Sequence, residues 1–421
     1  MKFIKHNLKS SLAYLKTLIK WVVIAVVVGG IGAIVGSAFH QCIDFATHFR
    51  NKYPLLIFLL PHGGVVIAVF FRLFKSKGPI DTNCVIESAR AEKTIPLIMT
   101  PLIFISSAIT HLLGGSAGRE GAALQLGGSI GYNIGKVFKL NKNDMHIIVM
   151  AGMSSVFAAL FGTPLTAAFF AIEFISVGYI LYTALIPCII ASVTAYSIAL
   201  FAGISPVRFT IEFFELSPEL LVSVLVLAIL LSIIAILFCK AMKTSETVFK
   251  KLLPNAYIRG AIGGAIIVLL TLLAGTYDYN GAGMDVIERA IAGISAKPEA
   301  FILKIIFTAI TISAGFKGGE IVPTFFIGST FGFVAGNLLG LDPSFAASIG
   351  FVTLFCGVVN CPIASILLAL EVFGSDNILV FALTSAICYL MSGNCSLYKS
   401  QKIIFSKLSP DFSDEDSNKK V

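Results

Sequence analysis

Charge is what this sequence has least of. Asp, Glu, Lys and Arg make up 13% of 421 residues, and 57% are hydrophobic. A soluble domain carries about 25% charged residues, so a chain with a mean hydropathy of +0.91 lacks the polar surface to stay dissolved. Its apolar runs do not alternate, which excludes the strands of a membrane barrel. The eight cysteines form no CxxC pair and the six histidines show no metal spacing, so neither a redox site, a disulfide framework nor a metal site is indicated, and no cofactor is called for. There is no GK[ST] phosphate loop and no HExxH. Basic residues interleaved with aromatics are missing outside the two chain ends, which speaks against a nucleic-acid partner.

What is there is a series of long apolar runs. Lys20–Phe39 holds a single charge, at Lys20, Ser217–Phe238 holds only Glu219, and Ile258–Thr276 holds only Arg259. Each is near the roughly 20 residues that span a bilayer as a helix, the form that satisfies its own backbone in lipid. Further spans are expected at about 54–74, 94–113, 146–161, 164–200, 300–314, 323–340, 345–359, 362–374 and 377–392. Lys2–Lys20 is basic and is followed by a span with no small-residue cleavage site, which reads as a first helix with its flank. The tail carries Lys399, Lys402, Lys407, Lys419 and Lys420. By the positive-inside rule both termini are expected in the cytoplasm of a multi-pass cell-membrane protein.

The chain also repeats itself. GSAGREGAALQLGGSIG at 115–131 returns as GFKGGEIVPTFFIGSTFG at 315–332. At an offset of 200, Gly115, Gly118, Glu120, Gly128 and Ser129 fall on Gly315, Gly318, Glu320, Gly328 and Ser329. TPLTAAFFAIEF at 163–174 returns as CPIASILLALEVF at 361–373, where Pro164, Ala171 and Glu173 match Pro362, Ala369 and Glu371 at an offset of 198. Two blocks in one order predict an all-α membrane protein of two related halves. The expected organisation is an N-terminal segment (1–19), a first repeat (20–200), a connector (201–219), a second repeat (220–398) and a tail (399–421). Transporters built this way bind substrate at the midplane between broken helices. Two homologous helix N-termini meet there when an in-plane axis relates them, so the halves are expected to be inverted.

In each half an apolar helix runs into glycines, a charged residue and a second helix. Thr94–Leu113 leads into Gly114–Gly121 and then Ala122–Gly135, and Ile302–Ala314 leads into Gly315–Glu320 and a helix opening at Pro323. Glycine permits the turn and a close backbone approach, and proline suits a first helical turn. A helix starting there presents unpaired N–H groups and the positive end of its dipole, a site for an anion. The alternative is that the glycines only let helices cross closely. The carboxylates Glu120 and Glu320, each in apolar surroundings, favour the functional reading.

These motifs resemble the CLC anion channel and transporter family. Gly118-Arg119-Glu120-Gly121 is similar to its GREGP signature, with Ala122 in place of proline. Gly318–Pro323 sits where the family has GxFxP, the blocks at 163–174 and 361–373 match APLxGxxFxxE, and Ser396-Leu397-Tyr398 resembles the element carrying its site tyrosine. The resemblance implies a homodimer with one pore per subunit, moving a halide ion against a proton. It makes Glu120 the gate, whose carboxylate occupies an anion position and leaves when protonated. It places the anion among Gly118, Arg119, Gly121, Gly319, Ile321, Val322 and Tyr398, with Thr82 and Asn83 near the position of a chloride-coordinating serine.

The chain departs from chloride-type members at three points. The GSGIP element is replaced around Asp81–Val85, GxFxP reads GGEIVP and brings in Glu320, and the internal proton glutamate expected after Glu173 is Phe174. All three resemble the fluoride-exporting subgroup, whose GFKGGE element stands at 315–320; that subgroup often has threonine where this chain has Val322. A fluoride/proton antiporter is therefore expected, with a chloride/proton antiporter or chloride channel as the alternative within the family. An intramembrane enzyme with a Glu120/Glu320 acid pair, and a cation or organic-solute carrier, are the alternatives outside it. Glu173 and Glu371 read as helix-end or interface groups, His111 as a packed histidine, and Glu87, Arg90, Glu92 and Lys93 as a solvated loop. The tail is too short for the regulatory domains some family members carry.

Overall fold

The computed structural model describes residues 2–74, 81–90, 93–409 and 411–418, with residues 2–10 described by backbone alone. Sixteen α-helices run through the described residues. The first eight are α1 (Lys2–Lys52), α2 (Leu60–Leu73), α3 (Thr82–Arg90), α4 (Met99–Leu113), α5 (Glu120–Val137), α6 (Lys142–Phe161), α7 (Pro164–Glu173) and α8 (Leu185–Phe201). The second eight are α9 (Pro218–Leu252), α10 (Ala256–Ala274), α11 (Met284–Ile291), α12 (Ala300–Ala314), α13 (Ile321–Leu338), α14 (Pro343–Val359), α15 (Pro362–Phe373) and α16 (Ile378–Met391). Residues 204–217 run between the two sets without helix or strand. Seven apolar stretches are long enough to cross a membrane, and six further apolar helices of 10–17 residues are too short to cross alone. That mixture is the broken-helix architecture. The halves pack through one continuous apolar core reaching from Trp21 to Tyr398.

Several spans differ from the sequence reading. The first helix extends well beyond both ends of Lys20–Phe39. The run 164–200 is not one span: α7 stops at Glu173, a short strand β1 (Ser176–Val177) and a 3-10 turn at Tyr182–Ala184 follow, and only then does α8 begin. Gly178, at φ +82, is a turn that an apolar count does not register. The helices α3 and α11 were hidden by their length and amphipathic pattern. Glu87 and Arg90 lie on α3, not on a solvated loop. Glu87 pairs with Lys93 and accepts a bond from Ser400 Oγ at 2.8 Å, while Arg90 donates to the Ser400 carbonyl at 2.8 Å. Glu92, Lys419 and Lys420 lie outside the described residues. The tail forms β2 (Lys402–Phe405) and β3 (Phe412–Asp416), and β1 pairs parallel with β2, which pairs antiparallel with β3.

The structure also corrects the register of the repeat. Helices α4 and α12 start at 99 and 300, and α5 and α13 at 120 and 321, an offset of 201 in each case. The left-handed glycines that end α4 and α12, Gly114 and Gly315, keep the same offset. So do the glycines of α5 and α13 that press on the following helix. A Cβ on Gly127 would meet the Gly152 carbonyl oxygen at 2.2 Å, and one on Gly328 would meet that of Gly350 at 2.1 Å. Glycine-rich runs score as many identities one residue out of register, but only the packed faces discriminate. Glu320 is consequently the counterpart of Arg119, and Glu120 that of Ile321. The two carboxylates are not repeat equivalents.

The second block holds the halves to each other. Glu371, near the end of α15, accepts the N–H groups of Leu165 and Thr166 at 2.8 Å each and the Thr166 hydroxyl at 2.6 Å. Glu173, at the end of α7, accepts the N–H groups of Ile363 and Ala364 at 3.2 and 2.9 Å. Each half thus caps the helix start of the other, with a carboxylate at the positive end of a dipole. Removing such a cap costs roughly 0.5–2 kcal/mol. Glu371→Ala and Glu173→Ala should each lower the melting temperature in detergent by a few degrees, and Glu371→Gln, which keeps one acceptor oxygen, by less. A thermal ramp with all three variants checks the order.

Candidate anion site

The site begins with two loops that touch through backbone alone. After the left-handed turns at Gly114 (φ +89) and Gly315 (φ +105), each chain crosses toward the other half. There the Gly118 N–H donates to the Gly319 carbonyl and the Gly319 N–H to the Gly118 carbonyl, both at 2.7 Å, as one antiparallel bridge. Side chains do not fit between them. A Cβ on Gly121 would stand 2.6 Å from Gly319 Cα, and one on Gly319 would stand 2.3 Å from Gly121 N. The N-termini of α5 and α13 converge on this bridge. The first N–H groups of each, including those of Gly121, Ile321 and Val322, have no acceptor within their own helix.

Gly118 and Gly319 were expected among the anion donors. Their amides are consumed by each other, so these two residues position the helix starts and donate nothing further. The Arg119 amide is also occupied, donating to Glu120 Oε2 at 3.0 Å. Asn83 turns its Oδ1 to the Ser400 N–H at 3.0 Å, tying α3 to the tyrosine loop.

Two cavities approach the bridge. The larger, about 670 Å³, is lined by Asp44, Arg50, Arg119, Glu120 and Val322 among others. Glu120 closes its inner end and is 1% exposed. Behind it stands a chain of charges: Arg119 Nε lies 3.4 Å from Glu120 Oε1, Arg119 Nη1 is 2.8 Å from Asp44 Oδ1, and Asp44 Oδ2 is 2.9 Å from His40 Nε2. The smaller cavity, about 220 Å³, reaches Thr82, Gln125, Glu320 and Tyr398. Gln125 Nε2 donates to Thr82 Oγ1 at 3.0 Å, which leaves the Thr82 proton free to serve another acceptor. Three buried polar atoms at this end find no partner among the described residues: the Tyr398 hydroxyl, Glu320 Oε2 and Gln125 Oε1. A buried polar atom without a partner is costly, and three together mark a place built for something else.

The structure therefore separates the expected residues. Glu120 and Arg119 face one cavity, while Glu320, Tyr398 and Thr82 face the other, and Gly121 lies between, where a Cβ would stand 3.3 Å from Glu320 Oε2. Gln125, Asp44 and His40 were not anticipated. Gln125 had a signal, an amide in an apolar helix following the carboxylate; Asp44 and His40, distant on α1, had none. His111 packs inside α4, its Nδ1 at 2.9 Å from the Ser107 carbonyl oxygen.

Comparisons with known proteins agree with this architecture. The model of the voltage gated chloride channel family matches residues 63–393. The chain is similar to the "Chloride/fluoride channel protein" of Pseudomonas syringae pv. tomato, at 32% identity over 96% of this chain and 91% of the relative. It is more distantly similar to the "H(+)/Cl(-) exchange transporter ClcA" of Vibrio vulnificus, at 23% identity over 94% and 92%. Among solved structures it is similar to a CLC-type fluoride/proton antiporter, with a TM-score of 0.89 at 31% identity over 92% of this chain and 98% of the other. A slow cyanobacterial Cl-/H+ antiporter shares the fold, with a TM-score of 0.73 at 22% identity over 88% and 94%.

The bridge makes a demand on Gly121. In Gly121→Ala the new Cβ must push Gly319 away, and overpacking of this kind costs about 1–3 kcal/mol. The variant should remain folded on size exclusion, melt lower than wild type and lose most of its ion transport in liposomes, because the two helix starts no longer meet.

Proposed function

We propose that this chain, which belongs to the voltage gated chloride channel (CLC) family, exports fluoride in exchange for protons. It is a membrane-spanning ion transporter with inverted repeat halves, and not an enzyme. Fluoride as the cargo is our reading, and Glu320 carries it. Glu320 is the residue from which α13 starts beside the bridge; its carboxylate makes no capping bond to the helix, and Oε2 lacks any donor among the described residues. An ionised carboxylate there repels a bound anion in low dielectric. Once protonated it becomes a donor, and a hydrogen bond to a charged acceptor is among the strong ones. Fluoride, small and strongly hydrated, gives up more on dehydration than chloride and needs such donors in return. The two relatives described as handling fluoride support the same assignment.

The residues divide the work as follows. Fluoride enters the smaller cavity and meets the hydroxyls of Tyr398 and Thr82, and beyond them the free amides of Ile321 and Val322 at the start of α13, where Val322 lines the larger cavity. Glu320, when neutral, adds its own proton donor. Glu120 lies over the start of α5, held by the Arg119 amide at 3.0 Å, in the position an anion would take. Protonation removes its charge and its hold on those donors, so it yields the path. The proton cannot follow a glutamate after Glu173, because Phe174 stands there with its ring edge-on to Tyr398 at 4.8 Å. Of the carboxylates lining the smaller cavity, Asp81, Glu246 and Glu320, Glu320 is the one beside the bridge, so it carries the proton as well as meeting the anion. In the same reading residues 20–200 and 220–398 are the two halves, 201–219 the connector, both termini face the cytoplasm, and the unit in the cell membrane is a homodimer.

Wild-type liposomes loaded with both ions should release fluoride much faster than chloride, measured with ion-selective electrodes. Equal rates would assign the chain to the chloride side of its family. Glu320→Ala should slow fluoride exchange at least about tenfold, the loss of one charged hydrogen bond at roughly 1.5–3 kcal/mol, with the melting temperature little changed. Glu120→Gln, permanently neutral, should pass the anion without a coupled proton, seen as fluoride efflux that no longer alkalinises or acidifies a dye-loaded liposome.

A further inference from the structure

Tyr398 sits on a stretch with no helix or strand of its own. Between the end of α16 at Met391 and the start of β2 at Lys402, this stretch is held by scattered bonds from other elements, among them the Leu397 N–H to the Val358 carbonyl of α14 at 3.1 Å and the bonds of Asn83 and Arg90 to Ser400. Its hydroxyl is nevertheless deep in the protein, at 1% exposure for the residue. A hydroxyl donor keeps its direction only as far as the backbone that carries it is fixed, since an unrestrained backbone samples many conformations.

The last described residues of the chain return to this loop. Ser417 Oγ donates to the Tyr398 carbonyl at 2.8 Å, and the Ser417 N–H to the Gln401 carbonyl at 3.0 Å. Asn418 brackets Ser396, its Oδ1 accepting the Ser396 N–H at 3.1 Å and its Nδ2 donating to the Ser396 carbonyl at 3.1 Å. Its own N–H donates to the Asn394 carbonyl at 2.8 Å. The φ of Asn418 is +67, a left-handed conformation that asparagine tolerates better than most residues. The tail reaches this place through the β1-β2-β3 sheet, whose first strand follows Phe174, the residue whose ring packs on Tyr398.

We propose that Ser417 and Asn418 are positioning residues: the tail is a clamp that holds the Tyr398 hydroxyl on the anion. The inference rests on the reading of Tyr398 as an anion donor. The clamp touches no ion itself. It acts through the backbone of residues 394–401, so its effect passes through the hydroxyl and vanishes without it. That dependence separates a clamp from a merely stabilising tail.

The test is a double-mutant cycle on the full chain, read by fluoride titration calorimetry and by the half-saturation of fluoride efflux. Ser417→Ala removes one neutral hydrogen bond to Tyr398, and Asn418→Gly removes the two side-chain bonds while keeping a residue at ease with positive φ. Together they should weaken fluoride binding by about fivefold or more, in line with the loss of such bonds, and raise half-saturation with little change in maximal rate. Ser417→Thr, which keeps the hydroxyl, should bind as wild type. In the Tyr398→Phe background the same tail changes should cost nothing further. If the tail variants bind fluoride as wild type does, or weaken it equally in both backgrounds, the clamp is wrong. If Tyr398→Phe alone binds fluoride at wild-type strength, the donor role of Tyr398 falls and the clamp with it, an outcome told apart by that single variant. Should the double variant not fold, Ser417→Ala alone carries the cycle.

Discussion

Two hydrogen bonds between glycine backbones decide where everything else in this protein can stand. The Gly118–Gly319 bridge joins the halves at a point where no side chain fits, with Gly121 packed against Gly319 Cα. Because the pairing is antiparallel and reciprocal, it makes two helix starts face one place from opposite directions. The unpaired N–H groups there are fixed donors that need no reorganisation, and in a water-poor interior their pull on an anion is strong. The cross-caps by Glu173 and Glu371 repeat the device at the other helix pair. There a carboxylate of the protein fills the donor site permanently, while at the bridge the site stays open to exchange.

The scaffold is symmetric and the chemistry on it is not. In true register Arg119 corresponds to Glu320 and Glu120 to Ile321. Each half therefore offers one carboxylate, one residue apart along the turn. That single step is enough to send Glu120 into the larger cavity, with Arg119 and Asp44 behind it, and Glu320 into the smaller one with Tyr398 and Thr82. An alternating transporter needs different groups on its two sides, and a symmetric pair of carboxylates would have given the same group twice.

Much of this was legible in the sequence, and what was not has identifiable causes. The apolar runs, the two glycine turns and the proline-opened helices α7 and α15 follow from local composition. Glu120, Glu320 and Tyr398 stood out because charge and motif context are local too. The offset of the first repeat block was misplaced by one residue, since glycine identities cannot tell a packed face from an adjacent one. Gly118 and Gly319 read as donors in the sequence, which does not show which amides are already paired across the chain. Gln125 was legible only as an odd residue in α5. The tail at Ser417 and Asn418 was not legible at all, because its partners lie on a loop about twenty residues away and its strand partner β1 belongs to the other half.

In the proposed exchange a carboxylate-bearing site moves an anion one way and a proton the other. Its most direct test is whether an outward fluoride gradient drives protons uphill in sealed liposomes containing only this protein, with the membrane potential clamped. Inward proton movement against a standing proton gradient, stopping at a definite ratio of the two, is the result the account predicts. Fluoride leaving down its gradient while the internal pH stays still would contradict it.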